Sequence, residues 1–310
     1  MKKLLVLIAL TALLSTACAE EKETGGESMK EESESKAEKI ELSAKEYSFN
    51  VPSTIEGGFV TVSLKNDGKL KHNAEFLKIE GNADEEQFKK DLKTAIGGEG
   101  GIADTLNPYV GPSEVDAGKS KTWQQSLPAG DYFLVCSMTD KDSAEESEEE
   151  EGEGAEDEPD LPIHFEQGML KKIKVTGPSK VELPEADATV TASEYTFDVQ
   201  NFKAGENEIL YRNEGPKEIH MAAVMEFPEG VDEQAAQKAL ESFSGEGPPP
   251  EGTPEPEDVG FSGIMVPGGG SIFEVNAKSG RVYAFVCFIQ DRAGGPPHVA
   301  KGMAKMVRVG

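Results

Sequence analysis

The 310-residue sequence predicts an all-β protein made of two tandem Greek-key β-sandwiches, each with one short helix inserted. Three observations lead there. The chain repeats itself once, each copy is rich in short segments of aromatic and β-branched residues, and Asn, Gly and Pro punctuate those segments. "EYSFNV" from Glu46 returns as "EYTFDV" from Glu194, and "KNDG" ending at Gly68 returns as "RNEG" ending at Gly215. "DEEQFKKDLKTA" from Asp84 matches "DEQAAQKALESF" from Asp232, "DYFLVC" ending at Cys136 matches "YAFVCF" around Cys287, and "HFEQGM" from His164 matches "HVAKGM" from His298. Matches that keep one order along the chain are the signature of a duplicated domain.

Taken from the start, "MKKLLVLIALTALLSTAC" has two lysines, an apolar run from Leu4 to Leu14 and small residues before Cys18, the pattern of an export signal over 1–17. "STAC" resembles the lipobox of bacterial lipoproteins, which implies lipidation of Cys18 and attachment to the outer face of a bacterial cell membrane. Residues 18–39 are almost wholly Glu, Lys, Ser and Gly, so they cannot bury enough surface to fold and read as a disordered acidic tether. The first copy, 40–177, supplies the strand segments "YSFNV", "FVTVSLKN", "NAEFLKI", "KTWQQSL", "DYFLVCSM" and "KKIKVT", with a helix capped by Asp84. The second copy, 178–310, supplies "ATVTASEYTFDV", "NEILYRN", "MAAVMEF", "SIFEVNA", "RVYAFVCF" and "MAKMVRV", with a helix capped by Asp232. Short strands at regular spacing point to antiparallel sandwiches, and the chain is long enough for each copy to bury its own core.

A net charge of −27 argues against nucleic acid and against adsorption to anionic lipid, and it permits a basic protein partner. The acidic insertion 143–160 holds eleven acids and no base, and reads either as a solvated loop or as a docking surface for a cationic redox partner.

The four histidines and the two cysteines beyond Cys18 are not scattered. Each copy holds, in order, a His, a Cys, a His and, five residues later, a Met: His72, Cys136, His164 and Met169, then His220, Cys287, His298 and Met303. A soft thiolate, two imidazoles and a weak thioether are the ligand set of a blue-copper centre. Each copy resembles the cupredoxins, the family of plastocyanin and azurin. The likeness rests on Asn66, Gly68, His72 and Asn73 as Asn-x-Gly before His-Asn, on Gly130, Tyr132 and Cys136 as Gly-x-Tyr-x3-Cys, and on His-x3-Gly-Met at His164, Gly168 and Met169 and again at His298, Gly302 and Met303. The resemblance implies one or two type 1 copper ions per chain. The loop from Cys to the second His is longer here than the family's usual loop, with ten residues in the second copy and 27 in the first.

Plainer readings stand beside these. Cys136 and Cys287 also suit buried thiols or a disulfide joining the copies, the histidines suit buried rings bonded to loops, and Met169 and Met303 suit core packing before a final strand. Electron transfer with a redox partner is the expected function. Copper sequestration or delivery, or a sandwich scaffold with degenerate sites, are the alternatives. The two ligand patterns use all four histidines, which leads to the expectation of no catalytic activity.

Overall fold

The computed structural model describes residues 38–81, 84–97, 101–143, 162–243 and 249–310. The expected signal 1–17, Cys18, the tether up to residue 37 and the acidic insertion from residue 144 lie outside the described residues, while Glu38 and Lys39, expected in the disordered tether, instead pair with Val60 and Thr61 as the start of a strand. The first copy forms β1 (Glu38–Lys45), β2 (Ser48–Asn50), β3 (Thr54–Glu56), β4 (Gly58–Asn66), β5 (Glu75–Lys78), α1 (Glu85–Ile96), β6 (Asn107–Val110), β7 (Ser120–Leu127), β8 (Gly130–Val135), α2 (Asp140–Ser143) and β9 (Leu170–Thr176). The second forms β10 (Ala188–Ser193), β11 (Thr196–Gln200), β12 (Gly205–Asn213), β13 (His220–Glu226), α3 (Glu233–Phe243), β14 (Glu257–Met265), β15 (Gly270–Ala277), β16 (Val282–Val286) and β17 (Ala304–Arg308). The expected boundary at 177 and 178 falls in the connection between β9 and β10. Among the described residues, two short helical elements had no sequence signal, the four-residue α2 and a 3-10 helix at His298–Lys301.

Alternation decides which face of each strand turns inward. In β4, Val60, Val62, Leu64 and Asn66 are buried while Thr61, Ser63 and Lys65 point away, and β1 and β10 repeat the pattern with Ile40, Leu42 and Ala44 and with Ala188, Val190 and Ala192. β8 and β16 break it, because both of their faces are covered. Tyr132, Leu134, Tyr283 and Phe285 enter the core between the sheets, while Phe133 and Val135 pack beneath α1 and Val282, Ala284 and Val286 pack beneath α3. α1 starts where Asp84 accepts a hydrogen bond from the Gln87 amide at 2.8 Å, and α3 starts where Asp232 accepts one from the Ala235 amide at 2.7 Å, as the sequence predicts.

The two copies share their sheets. One layer runs β11-β10-β12-β15-β7-β4-β1-β2 and the other β17-β16-β13-β14-β6-β5-β8-β9-β3. Copy meets copy where β15 pairs antiparallel with β7 and β14 with β6. These are equivalent strands of the two repeats, so the seam has the self-complementary form of a two-fold contact. Both repeats belong to one compact unit.

The sheets are mixed where purely antiparallel ones were expected. β1 pairs parallel with β4, β10 with β12 and β3 with β9. Parallel neighbours need a connection that crosses over and re-enters in the same direction, and β2–β3 and β11 provide the intervening passes.

Candidate metal centre

In the first copy the Asn-x-Gly turn places the first histidine. Asn66 accepts from the Gly68 amide at 2.9 Å and donates to the carbonyls of Leu70 at 2.8 Å and Val115 at 2.9 Å, so the loop leaving β4 is tied to the chain before β7. Asn213 does the same with Gly215, Glu218 and Met265. The cysteine follows β8 or β16, and backbone bonds fix the last ligand loop to it. The Cys136 amide donates to the Met169 carbonyl at 3.1 Å and the Met169 amide to the His164 carbonyl at 2.9 Å, with 3.3 and 2.9 Å for Cys287, Met303 and His298.

The side chains then converge. His72 Nδ1 lies 3.2 Å from His164 Nδ1, and Cys136 Sγ lies 3.8 and 3.4 Å from the two. In the second copy the separations are 3.1, 3.8 and 3.4 Å among His220, His298 and Cys287. All six side chains, together with Met169 and Met303, are fully buried, and the methionines share the inter-sheet core with the cysteines. The long ligand loops do not prevent either set from closing. Cys136 and Cys287 are both free thiols, which removes the disulfide alternative.

These donors fit a first-row metal ion. Bonds of about 2.0 Å to nitrogen and about 2.3 Å to sulfur, spread in a trigonal plane, put neighbouring donors roughly 3.5 to 3.8 Å apart, close to the triangles observed. Two imidazole nitrogens facing each other in a dry pocket also need a proton or a cation between them. Burial, and then the neighbouring imidazole, lowers His72 and His220 to about 4, so both rings are neutral and ready to ligate at pH 7. Burial pushes the thiols the other way, to about 12 for Cys136 and about 11 for Cys287. Metal entry must therefore displace a thiol proton, and the Asn73 amide, 3.5 Å from Cys136 Sγ, is aimed at the charge that remains.

Around this set the copies differ. Asn73 ties the first site together, accepting from the Ser137 amide at 3.0 Å and donating to Ser137 Oγ at 3.0 Å and Glu75 at 2.9 Å. The residues that follow His220 and Cys287 are Met221 and Phe288, whose side chains cannot form this network, although the Met221 amide still bonds the Cys287 thiol. Four residues went unremarked in the sequence: Asp140 and Tyr47 beside His164, and Asp291 and Tyr195 beside His298. The usable signal was Cys-x3-Asp in both copies, at Asp140 and Asp291, together with the tyrosine of the repeated "EY" pair.

No family model and no curated protein matches this chain. Solved structures similar to it include copper enzymes. A multicopper oxidase is 13% identical, covering 88% of this chain and 88% of its own, with a TM-score of 0.23. The copper nitrite reductase of Nitrosomonas europaea is 12% identical, covering 89% and 94%, with a TM-score of 0.21. The dithionite-reduced auracyanin of Roseiflexus castenholzii is 20% identical, covering 46% of this chain and 98% of its own, with a TM-score of 0.30. Similarity at this level assigns no activity. It does overturn the expectation of no catalytic activity, since two of these three structures are enzymes. The histidine count behind that expectation ignored carboxylate ligands and ligands from a second chain, and Glu218, Asp291 and His298 themselves bring three donor atoms within 4.8 Å of one another.

Proposed function

We propose that this chain is an exported copper protein, held by a lipid at Cys18 to the outer face of a bacterial cell membrane, that carries single electrons through one or two blue-type copper sites. The observation that carries this reading is the duplicated, fully buried His-Cys-His triangle, with Nδ1 atoms 3.2 and 3.1 Å apart. His72, Cys136 and His164, with Met169 behind them, would hold one ion, and His220, Cys287 and His298, with Met303, the other. Copper bound there supplies a one-electron couple between Cu(I) and Cu(II).

The protein's own contribution is a site that need not rearrange. Backbone bonds lock the Cys, His and Met loops together, the core excludes water, and the first histidine is delivered by a turn anchored on a buried asparagine. Export and lipid attachment rest on residues 1–18, and a basic redox partner rests on the charge of −27.

Adding Cu(II) to the full chain should produce an intense visible thiolate-to-copper band that a one-electron reductant bleaches, with up to two copper ions bound. Cys136→Ser and Cys287→Ser should each remove one site's share of the band. Copper taken up without colour, and retained by both serine variants, would instead favour sequestration by surface carboxylates.

A further inference from the structure

The second histidine of each triangle is engaged on its far side. His164 Nε2 lies 3.1 Å from Asp140 Oδ1, and that carboxylate also accepts the Tyr47 hydroxyl at 3.0 and 3.1 Å. His298 Nε2 lies 3.0 Å from Asp291 Oδ1, which accepts the Tyr195 hydroxyl at 2.9 Å. Each tyrosine ring meets its histidine edge to face, at 5.5 Å and 76° in the first copy and 5.2 Å and 75° in the second. By contrast, among the described residues, Nε2 of His72 and of His220 has no partner.

In the first copy the tyrosine is held there at a cost. Tyr47 sits at φ 58°, in the left-handed region that bulky residues avoid, and such strain persists only where the surroundings fix it. Gly168 of the His-x3-Gly-Met loop allows the approach: at φ 128°, a Cβ there would meet the Tyr47 carbonyl at 2.7 Å.

We propose that Tyr47–Asp140 and Tyr195–Asp291 are positioning pairs that orient the second histidine of each site and lower the reduction potential of the bound metal. A carboxylate accepts only, so it fixes the imidazole proton on Nε2 and leaves Nδ1 free for the metal. Its negative charge favours the oxidised, more positive centre. The phenol holds the carboxylate in place and covers the ring edge, which leaves His164 and His298 with no exposed surface. The copies differ in one counter-charge: Lys301 pairs with Asp291 and lies 4.8 Å over the Tyr195 ring, whereas the matching position in the first copy is Gln167.

The inference rests on the copper reading, and the full chain carrying Cys136→Ser isolates the second site. A parent with no thiolate-to-copper band overturns the copper reading and the inference together. With the band present, Asp291→Asn should raise the potential while keeping the band, because the amide still accepts from Nε2–H but lacks the charge. Asp291→Ala should also weaken Cu(II) binding about 10–100-fold in chelator competition. Tyr195→Phe should raise the potential by less, and Lys301→Gln should lower it. The thermal midpoint of each metal-free variant separates these effects from loss of folding. Unchanged potentials in Asp291→Asn, Tyr195→Phe and Lys301→Gln beside an intact band would overturn the positioning role and leave copper binding standing. Asp140→Asn in a Cys287→Ser background repeats the test on the first site.

Discussion

Burial sets the protonation of the ligand residues and thereby the pH response of the metal-free protein. His72 and His220 titrate near 6.5 in an unfolded chain and at about 4 in the fold. Between those values the unfolded chain binds more protons than the native one, so stability falls as the pH drops through that window and is fully retained above it. Metal-free protein should be less stable at pH 5 than at pH 7, by on the order of a few kcal/mol for the pair, and its unfolding temperature should drop accordingly. Copper held on Nδ1 should flatten that dependence until acid displaces it. Gly168 gives a second expectation. Gly168→Ala combines a left-handed backbone with a contact of 2.7 Å to the Tyr47 carbonyl, so it should destabilise by about 1–3 kcal/mol and disturb the first site's spectrum. The residue types of the triangles were legible because each copy spends its few histidines and its one cysteine at matching places. Asp140 and Asp291 were not, since an aspartate after a strand usually reads as a turn residue. What gives them a role is contact with tyrosines 93 and 96 residues away.

At the scale of elements, most strands and both longer helices were readable from period and capping, whereas β1, β3, β6 and β14 lie outside the segments the sequence marked. The runs "DYFLV" and "VYAFV" showed no alternation, because α1 and α3 cover the outward face of β8 and β16. Crossing direction left no local mark either: parallel pairing of β1 with β4 depends on how the chain passes between the layers, not on side-chain period. The Asn-x-Gly turns bind distant elements. Asn213→Ala leaves the buried Glu218 and Met265 carbonyls without their donor, and each orphaned group costs about 1–3 kcal/mol. The variant should therefore melt well below the parent and lose copper from the second site, measured by calorimetry and metal analysis.

At the scale of the whole molecule, the joined sheets bring the second site's ligand loop onto the first copy. Arg292, between Cys287 and His298, donates to the Ala103 carbonyl at 3.2 Å, the Leu106 carbonyl at 3.1 Å and Asn107 Oδ1 at 2.9 Å, while its own amide bonds Glu218 at 2.8 Å. Its counterpart Lys141 could not make this fork of bonds. Separating the copies would expose β14 and β15 as edges that already pair with their own equivalents. Residues 178–310 alone should accordingly form a dimer through those strands, and a monomer by light scattering at micromolar concentration would refute the two-fold reading of the seam.

The sequence by itself determined the duplication, most of the strand content, the capped helices and the His-Cys-His order, because each depends on local spacing or on the same pattern occurring twice. The tertiary structure decided that the two copies share both sheets, that Arg292 clamps one copy to the other, and that Asp and Tyr pairs stand behind His164 and His298. Each of these is a contact between residues remote in the chain, fixed by which edges and loops the packing brings together, and no periodicity records it.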